Sequence, residues 1–73
     1  MRYTAIFEAT KTGFSAYVPD LPGVGAAGAT IDEARARLKT AVAWQLEALV
    51  KDGDPIPLPT TVAEPLDVDP GAA

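Results

Sequence analysis

Thr30 to Asp52 contains neither glycine nor proline, in a chain where those two residues interrupt most other stretches. Ala, Leu, Arg, Lys, Gln and Glu dominate the segment, and all are strong helix formers. Its start carries a capping box, Thr30-Ile31-Asp32-Glu33. The threonine hydroxyl accepts from an early backbone N–H, and the Glu33 carboxylate reaches back to the cap N–H. Asp32 and Glu33 also suit the positive end of the helix dipole. At the far end Gly53 stands where a glycine closes a helix, and Pro55 is a second stop. Ile31, Ala34, Leu38, Ala41, Val42, Leu46 and Leu49 return every three or four residues, which predicts one apolar stripe facing a sheet.

The sheet is read from the first third of the chain. Met1 to Glu8 sets Tyr3, Ala5 and Phe7 against Arg2, Thr4, Ile6 and Glu8, a period of two that predicts a strand. Lys11-Thr12-Gly13 is turn chemistry, and Phe14 to Val18 is a second strand, so the short link predicts a hairpin. Pro19-Asp20-Leu21-Pro22-Gly23 cannot run as a central strand, because two prolines remove donors and fix φ. It is a shaped loop. Val24 to Ala29, rich in small residues, is expected to be a third strand, flat and closely approached by something bulky.

Beyond Gly53 the composition changes: five of the seven prolines lie there, with no basic residue. Pro55, Pro57 and Pro59 alternate with Ile56 and Leu58 and favour extended, polyproline-like backbone. A fourth strand is expected within Thr60 to Ala63, or around Leu66 to Val68 at a sheet edge. Asp69 to Ala73 read as frayed. The organisation expected is one domain over residues 1–59 and a proline-rich acidic tail over residues 60–73.

The chain of 73 residues has no cysteine and no histidine. Thiol and imidazole catalysis are therefore excluded, as is a structural zinc site built from this chain alone. Disulfides are excluded too. A core this small supplies no more than about 3–5 kcal/mol, which leaves self-association, as a dimer or tetramer, as the expected staple. The net charge of −4 argues against a nucleic-acid grip, since phosphate binding runs on clustered Lys and Arg. Arg35, Arg37 and Lys39 come nearest to a basic cluster, but they sit among Asp32, Glu33 and Glu47 as on an ordinary solvated helix face. No stretch approaches the ~20 apolar residues of a membrane helix, and the first residues do not read as a signal peptide. The expectation is a soluble, cytoplasmic domain.

Any catalysis would rest on carboxylates, lysines, tyrosines or serine. Asp20, Asp32 and Glu33 could together hold Mg²⁺, although Asp32 and Glu33 already have a capping task and Asp20 is a common turn residue between prolines. Ser15 is the only serine and has no histidine to activate it. Gly23, Gly25 and Gly28 only loosely match a phosphate-cradling pattern, and the lysine of a P-loop is missing. The expectation is therefore no catalytic residue, no metal and no cofactor. Trp44 lies to the side of the helix stripe by rotation, where it either anchors an interface, wraps the core edge or covers the proline-rich tail. Gln45 falls near the centre of the stripe and interrupts its apolar face.

Three stretches, Gly13 to Gly23, Gly28 to Ala34 and Asp52 to Pro57, taken together resemble the HicB antitoxin family over about residues 3 to 59. The most specific part is Pro19-Asp20-Leu21-Pro22-Gly23 followed by Gly28-Ala29-Thr30-Ile31-Asp32-Glu33-Ala34. The resemblance implies an α+β domain in a partial RNase H-like arrangement: a three-stranded antiparallel sheet, one long helix across a face and a further strand. It implies a protein that is not a nuclease but covers a HicA-type toxin, a small mRNA-cleaving protein. Candidate contacts are Tyr17, Pro19, Asp20, Leu21 and Pro22, with Trp44 as an anchor and Thr30 and Glu33 as the helix cap. Two departures stand out. Many relatives carry Cys, then Thr or Ser, after the Pro-Gly, where this chain has Val24 and Ala26. Longer family members often end in a helix-turn-helix or ribbon-helix-helix DNA-binding domain, which this sequence does not show, so DNA binding is not carried over.

The leading expectation is thus an antitoxin-like binding module that neutralises its toxin by protein contact. The alternatives are an orphan homo-oligomeric binding protein and a minimal metal-dependent nuclease of RNase H type. The nuclease would need clustered carboxylates, and the strands offer only Glu8.

Overall fold

The computed structural model describes residues 1–72. Strands β1 (Ile6–Ala9), β2 (Phe14–Tyr17) and β3 (Gly25–Gly28) form one antiparallel sheet in the order β1-β2-β3, and helix α1 (Ile31–Asp52) follows. This is the expected α+β class.

The hairpin is narrow. Ile6 pairs with Tyr17 and Ala9 with Phe14, and the Thr10 N–H donates to the Gly13 carbonyl at 2.8 Å. β1 begins at Ile6 rather than Met1. Continuing the register would set Thr4 against Pro19, which has no N–H to give, so the ladder stops where β2 stops. At the turn Gly13 lies directly on the end of β3, and a Cβ there would collide with the Gly28 carbonyl.

Phe7, Ala16 and Ala26 stand in one row across the sheet and face the helix. Ala16, Val18, Leu21 and Val24 from the sheet side, with Ala34 and Leu38 from α1, form the buried core. The bulky neighbour expected over β3 is the helix itself. A Cβ on Gly28 would lie 2.6 Å from the Ala34 nitrogen and 2.9 Å from Glu33 Cβ, so glycine lets the first helical turn rest on the strand. Ala41, Val42 and Leu46 continue the stripe as half-buried contacts, while Ile31 opens to solvent. Gln45 is half-buried beside them.

The helix ends are satisfied as expected, with one change. Thr30 Oγ1 accepts from the Glu33 N–H at 3.1 Å, but the Glu33 carboxylate accepts from the Ala29 N–H at 3.3 Å rather than from Thr30. At the other end Gly53 takes φ +72°, donating to the Val50 carbonyl, while the Asp54 N–H donates to Leu49. This pair of bonds is a Schellman closure, and a side chain at Gly53 would strain it.

No fourth strand forms among the described residues, neither over Thr60 to Ala63 nor near Leu66 to Val68. Prolines 55, 57 and 59 remove alternate donors, and the N–H groups of Thr60 and Thr61 are taken by the Asp20 carboxylate, so no ladder is left to make. Pro70–Ala72 form a 3-10 turn, with the Gly71 N–H on the Asp69 carboxylate, where fraying was expected from Asp69 on; Ala73 lies outside the described residues. The radius of gyration, 15.0 Å, exceeds the ~11 Å of a compact chain of this length, and the 22-residue helix alone is about 33 Å long.

Candidate partner-binding surfaces

The loop after β2 is built by two successive turns. The Leu21 N–H donates to the Val18 carbonyl and the Val24 N–H to the Leu21 carbonyl, at 3.0 and 3.2 Å. Gly23 closes the second with φ +84°, a conformation few other residues adopt at low cost. Leu21 is driven into the core at 2% exposure, so it fixes the loop from beneath. Pro22 stays exposed, and Pro19 is half-buried.

Asp20 is the most heavily bonded side chain in the loop. Its carboxylate accepts the Thr61 N–H at 3.1 Å and the Thr61 hydroxyl at 2.8 Å, and both Thr60 donors at 3.1 Å. The Thr61 N–H, then the Thr61 hydroxyl and the donors of Thr60, hold this carboxyl below the usual carboxylate range, while partial desolvation pulls the other way. Two further bonds anchor the same tail. The Tyr3 hydroxyl donates to the Pro57 carbonyl at 2.6 Å and the Thr4 hydroxyl to the Thr61 carbonyl at 2.8 Å. Thr60, Thr61, Tyr3 and Thr4 were not singled out from sequence, since no local pattern links residues forty or more positions apart.

The remaining carboxylates considered for a metal are engaged separately. Asp32 pairs with Arg35 at 2.6 Å, and Glu33 pairs with Arg37 at 2.9 Å. Arg35 also sits 5.3 Å from the centre of the Phe7 ring, and Arg37 donates to the Ala27 carbonyl on β3. Among the described residues no three potential ligands gather. Ser15 lies opposite Glu8 on the sheet, and Gly25 and Gly28 belong to β3 rather than to a phosphate loop.

Tyr17 and Trp44 point from different sides. Tyr17 alternates with the core residues Ala16 and Val18, so it stands on the sheet face away from the helix, 42% exposed beside Ile6. Ile6, Glu8, Ser15 and Tyr17, with Gly25 and Ala27 of β3, make up that uncovered face. Trp44 is 70% exposed on α1 and lines an apolar groove of about 390 Å³ with Ala36, Arg37, Thr40 and Ala41. The readings in which it wraps the core edge or covers the tail are thereby removed. No helix is long and apolar enough to cross a membrane among the described residues.

The model of the HicB-like antitoxins of bacterial toxin–antitoxin systems matches residues 3–70. The chain belongs to the HicB-like antitoxin family. The match runs through the proline-rich tail, further than the sequence resemblance to residue 59, so the clamp between Asp20 and Thr60–Thr61 joins two parts of the family's own span. A protein of Haemophilus phage HP1 (strain HP1c1), named as an uncharacterized 14.9 kDa protein of the rep-hol intergenic region, is 33% identical over 57 residues. Those residues are 78% of this antitoxin-family chain and 43% of the phage protein, so the chain spans less than half the length of that relative. No solved structure matches the chain.

Proposed function

We propose that this HicB-like chain neutralises a HicA-type, mRNA-cleaving toxin in the cytoplasm by covering it, through protein contact and without catalysis or direct contact to nucleic acid. The observation that carries this reading is the family match over residues 3–70, which makes a toxin the natural partner. The uncovered sheet face supplies a docking surface. Tyr17 gives it an aromatic centre of the kind that anchors interfaces, with Ile6 and Glu8 beside it and the exposed Pro22 on the adjoining loop. The net charge of −4 complements a basic, RNA-binding partner. A binding role also fits the engagement of Asp20, Asp32 and Glu33 in structural bonds.

Co-expression with a HicA-type toxin tests the reading. Co-purification and relief of growth arrest are expected, with Tyr17→Ala weakening both. A toxin that remains free and active in the presence of the folded chain would refute it. We propose in addition that the chain self-associates, because its buried core comprises only six residues among those described.

A further inference from the structure

The solvent side of α1 carries a second pattern. Glu33, Arg37, Thr40, Trp44, Glu47 and Lys51 follow one another at spacings of four and three, which places them along a single seam of the helix, turned away from the core stripe of Ala34 and Leu38. Trp44 is its only large apolar member and lies 70% exposed. Two grooves flank it, one lined by Ala36, Arg37, Thr40 and Ala41 and the other by Glu47, Ala48 and Lys51.

The seam is self-complementary when reversed. An antiparallel copy centred on Val42 sets Thr40 against Trp44, Arg37 against Glu47 and Glu33 against Lys51, while Ala36 meets Ala48 on the flank. Both ionic layers then join opposite charges, and each Trp44 enters the partner's groove between Ala36 and Thr40. Setting Trp44 on Trp44 instead would bring Arg37 onto Lys51, a like-charge contact. Glu47 and Lys51 form no ion pair within the chain among the described residues, so both are free to serve a second copy. Such reciprocal matching is what a two-fold, isologous contact requires.

We propose that the occupant of this helix face is a second copy of the chain, bound antiparallel across α1 with Trp44 at the centre. The proposal rests on the self-association put forward above and gives it a surface and a register. It leaves the uncovered sheet face and Tyr17 available to the toxin. An interface of one helix per partner belongs among the weak, transient ones.

The test uses the full chain. Sedimentation from about 5 μM to 1 mM, a range suited to weak pairs, should show the mass rising from 7.6 kDa toward twice that value. Emission from the single tryptophan should shift to the blue over the same range. Trp44→Ala should weaken association by about tenfold or more, the effect of removing an interface anchor, with an unchanged helical circular dichroism spectrum. Glu47→Arg should weaken it as well, and adding Arg37→Glu to that variant should restore it. A monomeric mass throughout would overturn both self-association and this surface. A dimer indifferent to Trp44→Ala and Glu47→Arg would overturn this surface alone, leaving self-association intact.

Discussion

The helix-and-sheet body and the proline-rich tail are held by different means. In the body, backbone ladders, two closed helix ends and a shared apolar core support one another, so many weak terms act together. Among its described residues the tail has no ladder. Leu58, Val62, Leu66 and Val68 face solvent, and the segment is fastened by side-chain bonds to Tyr3, Thr4 and Asp20. The difference teaches that the fold of the body is cooperative while the position of the tail depends on a few polar groups, chiefly one carboxylate. Local opening should therefore begin in the tail.

The largest effect expected tests the body. Leu38 is 3% exposed, and Leu38→Ala should cost about 2–4 kcal/mol through lost burial and the cavity left behind. In a domain with so small a core this leaves much of the chain unfolded, which denaturant titration followed by circular dichroism would show. Gly28→Ala comes next, at about 1–3 kcal/mol, because the added methyl meets helix backbone that cannot swing aside. A neutral result would mean that α1 does not press on β3. Thr30→Ala should cost about 1 kcal/mol by removing the acceptor for the Glu33 N–H, measured as a lower melting temperature.

Asp20→Asn should move global stability least and the tail most. Removing the charge weakens the bonds to Thr60 and Thr61, so limited proteolysis and amide exchange should speed up over residues 55–61 while helix melting stays nearly constant. Acid should do the same. The carboxyl is held below its ordinary value in the folded chain, so its contribution is present above roughly pH 4 and is lost as pH falls through the folded-state pKa. Equal protection of tail and body across that range would break the comparison.

Much of the body was legible because its signals are local. The capping box, the uninterrupted helix formers and Gly53 bound α1 within the sequence itself, since each acts on backbone groups a few residues away. Strand alternation and the Pro19 stop located the hairpin on the same grounds, although the pairing partner, and not β1's own pattern, decided where β1 begins. The candidate contacts were less legible. Leu21 shares a loop with the exposed Pro22 yet is buried, because the two turns point its side chain inward.

The sequence by itself determined the helix and its caps, the hairpin, the shaped loop and the absence of thiol and imidazole chemistry. Only the tertiary structure decided that the expected fourth strand gives way to an Asp20 clamp, that β3 is covered by the first turn of α1, and that Tyr17 and Trp44 lie on different faces. The physical reason is range. Propensity and capping act within one turn of backbone, whereas a carboxylate bound forty residues away and the choice of an uncovered face depend on which surfaces the whole chain brings together.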